Sequence, residues 1–177
     1  MSLKYETMNP LPQEIRDKMV ALLNGIMADI LDNHYQSLLA HWNTRGSNFI
    51  ALHEFFDEYA GSNGADNWCD WVAERISQLG GTVVTTVQFI SASTSLTEYP
   101  STITTGEEHV QALAASARTI IVRLRDTIAE ASASHDNVTA AVLTDVQRSA
   151  EKYLWLLEAH VPRLRQPPEQ SSSSHAP

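Results

Sequence analysis

Residues 49–81 read FIALHEFFDEYAGSNGADNWCDWVAERISQLGG, and this stretch decides the fold of the chain. Apolar side chains recur at helical spacing on both sides of the central GSNG, residues 61–64. Because glycine weakens a helix interior, this cluster predicts an interruption. Gly80 and Gly81 predict where the helix stops. We therefore expect a helix that begins near Phe49 and is broken once in its middle.

Three further long helices surround this segment in the sequence. Residues 11–44, about 105–134 and about 137–162 each carry an apolar stripe at helical spacing. Thr105 and Asp136 have side chains suited to cap the helices that follow them. Four long helices with a longer middle connection describe an all-α four-helix bundle with a crossover.

The middle connection and the two termini have a different composition from the helices. Residues 82–105 are rich in Thr, Ser and β-branched side chains, and by themselves they predict a strand or a loop. We expect one bundle domain at residues 11–162. An N-terminal tail at 1–10 would precede it, and a polar, disordered tail at 163–177 would follow it.

Composition excludes several classes of protein. A chain of 177 residues with 43% hydrophobic content is large enough for one domain with a core. It has no run of roughly 18 apolar residues and no secretory-signal layout, so we expect a cytoplasmic location and no membrane contact. Cys69 is the single cysteine, which excludes a disulfide framework. The net charge of −9 with no evident basic tail argues against DNA binding.

Six side chains in the middle of the chain could donate to a metal ion: His41, His53, Asp57, Asp66, Asp70 and Glu74. His53 and Asp57 are four residues apart and therefore share a helix face, as do Asp70 and Glu74. Imidazoles and carboxylates without thiolates suit Fe²⁺, Mn²⁺ or Zn²⁺. The same spacing is common on solvated helix faces, so spacing alone leaves both interpretations open.

A series of short motifs follows in order along the chain: His41-Trp42-Asn43, Gly46, Asn48-Phe49, His53-Glu54, Asp57-Glu58, Asp70, Ala73-Glu74-Arg75, Leu79-Gly80-Gly81, Ser95-Leu96-Thr97-Glu98-Tyr99-Pro100, Lys152-Tyr153-Leu154-Trp155 and Glu158-Ala159-His160. Together they resemble the signature of Dps proteins, the mini-ferritins. The resemblance extends over nearly all of residues 12–161.

This resemblance implies a ferritin-like bundle with a short helix in the middle connection, assembled from two-fold dimers into a hollow dodecamer. It implies a ferroxidase site at the dimer interface, where Fe²⁺ is oxidised by H₂O₂ in preference to O₂ and the ferric product is stored in the shell. Zinc would be a competitor for iron. One subunit would supply His41, His53 and Asp57, and the other would supply Asp70 and Glu74.

The resemblance also implies roles for further residues: the nucleation candidates Glu54 and Glu58, the redox candidate Trp42 and the pore candidates Asp136 and Asp145. Spacing adds two possible auxiliary ligands, since Asp66 lies one helical turn before Asp70 and His34 lies two turns before His41. Interface packing is the alternative for Trp42, and a plain packed or surface histidine is the alternative for His34. Ala141 stands where the family commonly has an acid, which leaves the path of iron entry open.

The spacing of the two acidic pairs departs from the family pattern. In that family the pairs usually lie about eleven residues apart, which returns to nearly the same helix face at about 100° per residue. Asp57 and Asp70 are thirteen residues apart, and an unbroken helix would turn Asp70 away by roughly 140°. We expect residues 61–64 to restore the register as a π-bulge or a short loop. A gapless count would instead put a tryptophan and a valine at ligand positions, and an altered site that recruits Asp66 is a further alternative.

The function expected from the sequence is therefore oxidation and storage of iron. A shell of the same architecture with weak catalysis, serving a structural or DNA-protecting role, is the first alternative. A zinc-preferring site is the second.

Overall fold

Six α-helices make up most of the computed structural model, which describes residues 6–161. They are α1 (Gln13–Asn43), α2 (Phe49–Ala60), α3 (Ala65–Gln78), α4 (Val87–Ser93), α5 (Gly106–Ala133) and α6 (Asn137–Ala159). α1, α5, α6 and the consecutive pair α2–α3 form the four members of a bundle, and α4 lies in the crossover. The predicted all-α bundle is confirmed. The tail predicted at 163–177 and the first five residues of the N-terminal tail lie outside the described residues.

The bundle core is built from the apolar stripes that periodicity predicts. Met19, Leu23, Ile26 and Ile30 of α1 are fully buried, and they face equally buried leucines, isoleucines and valines of α5 and α6. Burying one such side chain stabilises the fold by roughly 1.5–3 kcal/mol. Within residues 6–161 no helix has the length and apolar character needed to cross a bilayer.

The crossover between α3 and α5 is tied to α1 by buried polar side chains. Asp29, which is fully buried, accepts hydrogen bonds from the Ser95 amide at 2.6 Å and the Ser95 hydroxyl at 2.8 Å. The Arg123 guanidinium of α5 lies 2.8 Å from the same carboxylate and compensates its charge. These contacts place α4 across the bundle, and Thr86 caps its first turn by accepting from the Phe89 amide.

The prediction of strand or loop for the middle connection was wrong over Val87–Ser93, where the short helix implied by the family resemblance is present. Composition could not identify this helix, because it is one short element held by contacts with distant residues. The caps predicted at Thr105 and Asp136 are confirmed. Thr105 forms a full capping box with Glu108, whose pKa is lowered by its hydrogen bonds to Thr105.

The break between α2 and α3 is a short loop rather than a π-bulge. α2 ends at Ala60, where the Gly61 amide still donates to the Asp57 carbonyl at 2.9 Å. The Gly64 amide then donates to the Gly61 carbonyl at 2.9 Å, and α3 starts at the next residue. The backbone therefore makes one tight turn, which accommodates the additional residues between Asp57 and Asp70.

An aromatic cluster sets the rotation of α3 about its own axis after this turn. The rings of Tyr59 and Tyr153 stack at 4.8 Å, and Trp68 meets them edge-on at 5.9 and 6.1 Å. Such pairs add roughly 0.5–1.5 kcal/mol each beyond the apolar area that they bury. With Trp68 fully buried, the side chains of Asp70 and Glu74 are directed to the outside of the chain. The gapless register is therefore excluded, because its tryptophan and valine, Trp68 and Val72, lie in the core.

We predict that Gly64→Ala destabilises the protein by about 1–3 kcal/mol, the usual cost of overpacking. A methyl group at this position would lie 2.0 Å from the Tyr59 carbonyl oxygen, a backbone atom that cannot rotate away. Thermal unfolding at one fixed protein concentration measures the effect. Ser62→Ala in the same turn, at an exposed position, is the matched control. Equal melting temperatures for the two variants would show that the close contact does not constrain the turn.

Candidate metal centre

Two histidines stack and hydrogen-bond to each other where α1 ends and α2 begins. His41 lies in the last turn of α1, and His53 lies in the second turn of α2. Their rings stack nearly parallel, with centroids 3.8 Å apart and planes inclined by 16°. His41 Nδ1 lies 2.7 Å from the His53 carbonyl oxygen, and His53 Nδ1 lies 2.8 Å from the His41 carbonyl oxygen.

These two hydrogen bonds determine which ring nitrogens carry protons. A carbonyl oxygen can only accept, so Nδ1 of each imidazole is the donor. In the neutral rings Nε2 then keeps its lone pair. Metal-binding histidines commonly have this arrangement, with one ring nitrogen donating to a backbone carbonyl and the other left for the metal. The geometry of His41 and His53 therefore fits a metal site.

Carboxylates follow His53 along the exposed side of α2. Asp57 is one turn further on and is exposed, as are Glu54 and Glu58. Phe49, one turn before His53, stacks on the His53 ring at 5.1 Å and fixes its orientation from the other side. Sequence reasoning did not assign this role to Phe49, although its spacing of four residues from His53 is the signal that could have found it.

The acidic residues of α3 form a separate row. Asp66, Asp70 and Glu74 are spaced four residues apart, and all three are exposed. Within one chain they do not complete a site with His41 and His53, because the described residues contain no group of three or more His, Cys, Asp or Glu side chains placed to hold a metal ion. One chain therefore presents two separate sets of candidate ligands, neither of which forms a site by itself. The predicted sharing of the site between subunits stays a prediction.

Trp42 stands at the edge of the histidine pair. Its ring is 63% exposed and meets the His41 ring edge-on at 6.5 Å. Ile50, on the first turn of α2, is also exposed at 60%. Large exposed apolar side chains beside a site are typical of a contact surface. Both alternatives for Trp42, redox donor and interface packing, are compatible with this position.

His34 and Asp66 meet at the break between α2 and α3. His34 Nδ1 lies 3.0 Å from the Ala60 carbonyl oxygen and 3.4 Å from Asp66 Oδ1. The carbonyl can only accept, so the nitrogen near Asp66 carries a proton and cannot bind metal beside it. Nδ1 of His34 is therefore not a donor to a metal beside Asp66, and an auxiliary role of the two residues in metal binding stays a prediction.

The pore prediction for Asp136 was wrong. Its carboxylate is 2% exposed, accepts from the Thr139 amide at 3.0 Å and pairs with Arg75 Nη2 at 2.8 Å. Such a buried, fully engaged carboxylate caps α6 and anchors α3, and it does not reach a solvent channel. Asp145 is exposed, pairs with Arg148 at 2.9 Å, and lines a shallow cleft of about 180 Å³ together with Glu74.

Two further side chains beside the acidic residues stay protonated. Burial, together with the nearby Asp66 and Asp70, raises the pKa of the Cys69 thiol to about 12, so the metal-binding thiolate is absent at neutral pH. Burial and the adjacent Glu58 raise the pKa of Tyr153 to about 12. The Tyr153 hydroxyl donates to Glu58 Oε1 at 3.4 Å and orients that carboxylate. Sequence reasoning did not find this contact, because Glu58 and Tyr153 lie on different helices.

Residues 20–166 match the ferritin-like domain. The DNA protection during starvation protein of Agrobacterium fabrum is 35% identical over 157 residues, which cover 89% of this chain and 96% of that protein. The chain belongs to the Dps family of mini-ferritins. Its Brevibacillus brevis relative of the same name is 31% identical over 153 residues, covering 82% of this chain and 95% of the relative.

Solved Dps structures have the same fold as this chain. DpsC from Streptomyces coelicolor superposes with a TM-score of 0.84 at 25% identity, over 92% of this chain and 95% of that one. Mycobacterium smegmatis Dps superposes with a TM-score of 0.82 at 26% identity, over 89% and 95% of the two chains. The family resemblance on which the sequence prediction depended is thus confirmed.

Proposed function

We propose that this Dps protein is a ferroxidase and iron-storage subunit that oxidises Fe²⁺ with H₂O₂ at a site shared by two subunits. The observation that carries the proposal is the His41–His53 pair. The Nδ1 atom of each ring donates a hydrogen bond to the backbone carbonyl of the other residue. This arrangement leaves two imidazole Nε2 atoms as ligands on the side of the chain that also bears Asp57.

The two incomplete ligand sets suggest how the site is assembled. In a two-fold dimer the same surface is used twice, so residue i of one subunit meets residue j of the other and the reverse. His41, His53 and Asp57 of one subunit would then face Asp70 and Glu74 of the other. Two such composite sites would form at each dimer interface, and the dimers would assemble into a dodecameric shell.

Each set of residues has a distinct task in this proposal. The histidines bind Fe²⁺ without adding negative charge, and the carboxylates balance the charge gained when iron becomes ferric. Two ferrous ions supply the two electrons that reduce one H₂O₂ to water, so the reaction need not release a hydroxyl radical. Zn²⁺ prefers the same donor types and would compete with iron.

A carboxylate on α6 would bind Fe²⁺ on its way to the site, and carboxylates on α2 would bind the ferric product. Glu54 and Glu58 are exposed beside the ligands, and the Tyr153 hydroxyl holds Glu58 in place. They are proposed as the first sites where the ferric product nucleates. Asp145 shares a cleft with Glu74 and is proposed as an entry residue that leads Fe²⁺ toward the acidic half of the site.

Removing one histidine should abolish most of the reaction. After anaerobic loading with Fe²⁺, addition of H₂O₂ to the His53→Ala oligomer should give oxidation at least about tenfold slower than wild type, because a ligand is lost. Ferric absorbance measured by stopped flow reports the rate. His135→Asn is the matched control, since His135 is an exposed residue of the turn between α5 and α6 that is not a proposed ligand, and asparagine tolerates its positive φ of 58°. Equal slow rates in all three proteins would favour the catalytically weak shell.

Mixed oligomers test whether two subunits share the site. His53→Ala and Glu74→Gln each inactivate every site in a pure oligomer under this proposal. A refolded or co-expressed equal mixture should recover about a quarter of the wild-type rate, since half of the random dimers are mixed and each carries one intact site. No recovery in verified mixed oligomers would place the site within one subunit.

DNA binding is expected to be absent despite the names of the relatives. Each chain has a net charge of −9, so the shell is strongly anionic and repels phosphates. In about 0.15 M salt without divalent metal, linear duplex DNA should not shift in a gel at up to about 1 µM protein, below the usual range of non-specific dissociation constants. A lane at low salt is the control. A clear shift at physiological salt would favour the DNA-protecting alternative.

A further inference from the structure

The break between α2 and α3 separates the two halves of the proposed site within one chain. Its N-cap residue is Gly64, which has no side chain to fix the first turn of α3. The far end of α3 is held by Arg75, which donates to Thr139 and Asp136 at 2.8 Å. The near end, which precedes Asp70, is anchored in the core by Trp68, and its exposed face has a further attachment at Asp66.

His34 of α1 makes that attachment. One ring nitrogen, Nδ1, lies 3.0 Å from the Ala60 carbonyl oxygen and 3.4 Å from Asp66 Oδ1. Ala60 is the last residue of α2, so its carbonyl is one of the acceptors that a helix end leaves unpaired. Asp66 lies in the first turn of α3. His34 therefore hydrogen-bonds the end of α2 and lies at ion-pair distance from the first turn of α3.

The position of this contact along α3 gives it a consequence for the site. Asp66, Asp70 and Glu74 lie at successive four-residue steps on one exposed face of the helix. Because Glu74 adjoins the anchored Arg75, a rotation of the first turn of α3 would change the position of Asp70 relative to Glu74. The His34 side chain is only 18% exposed, whereas Asp66 is 62% exposed, so the histidine is the fixed partner and Asp66 the one it restrains.

We propose that His34 and Asp66 are positioning residues, which hold the first turn of α3 at the rotation that presents Asp70 and Glu74 to the metal site. This inference rests on the proposed function. It assigns His34 and Asp66 a role different from the auxiliary ligands that the sequence suggested, because His34 Nδ1 donates to the Ala60 carbonyl and lies 3.4 Å from Asp66 Oδ1. A chain in which one unbroken helix carried both acidic pairs would not need this contact.

His34→Asn and His34→Leu form a matched pair of variants. An asparagine amide nitrogen occupies nearly the position of histidine Nδ1 and keeps the donor, whereas leucine removes it at similar size. Anaerobic titration of the full-length oligomer with Co²⁺ measures the two metals of each site separately, with Glu74→Gln as the reference for a lost acidic half. Hydrogen exchange of the amides of residues 64–66 measures the attachment itself.

His34→Leu should weaken the second Co²⁺ by about 10–100-fold, as loss of an orienting residue typically does. The first Co²⁺, held by His41 and His53, should keep its affinity within about threefold, and His34→Asn should behave like wild type. Faster exchange at residues 64–66 should accompany the loss in His34→Leu only. If that variant does not assemble, Asp66→Ala should give the same weakening of the second Co²⁺.

Unchanged affinity for both Co²⁺ ions in His34→Leu, with faster amide exchange, would overturn the proposal and leave a purely structural contact. Unchanged exchange would show that the contact does not hold the turn at all. These outcomes differ from failure of the proposed function, in which the wild-type oligomer itself does not oxidise Fe²⁺ with H₂O₂. In that case the Co²⁺ affinities and the exchange rates still decide the positioning role.

Discussion

The close approach of Gly64 to the Tyr59 carbonyl oxygen is the constraint on which the placement of the acidic residues depends. Any side chain at this position would have its Cβ 2.0 Å from that oxygen, so only glycine lets the chain turn this tightly. The turn delivers Trp68 to the core beside Tyr59 and Tyr153. With the indole inside, Asp70 and Glu74 are outside, on the surface where a second subunit can meet them.

The histidine half of the site has a different physical basis. His41 and His53 each donate to the backbone carbonyl of the other, so the same contacts that join α1 to α2 also leave Nε2 unprotonated. In the proposed site, folding would use Nδ1 and metal binding would use Nε2 of the same two rings. Among residues 6–161, no hydrogen bond or ion pair of this kind holds Asp70 or Glu74, which agrees with the proposal that assembly completes this half of the site.

Sequence reasoning located the structural features that depend on residues close together in the chain. The caps at Thr105 and Asp136 act within one turn of their helices, and the glycine cluster at residues 61–64 breaks a helix wherever it occurs. Composition alone missed α4, which only the family resemblance implied, because that segment depends on the anchoring of Ser95 by Asp29, sixty-six residues away. Sequence reasoning also misplaced Asp136, since a capping aspartate is exposed unless a distant arginine covers it, as Arg75 does here.

The sequence by itself determined the helical bundle, the Dps family and the residue types of the metal site, because periodicity, caps and ordered motifs are properties of neighbouring residues. Only the tertiary structure decided the form of the break, the protonated nitrogen of each histidine and the outward direction of Asp70 and Glu74. Each of these depends on atoms from different helices meeting at hydrogen-bonding or van der Waals distance. The thirteen residues between Asp57 and Asp70 can be counted, but the rotation that they produce is set by Tyr59, Trp68 and Tyr153 packing together.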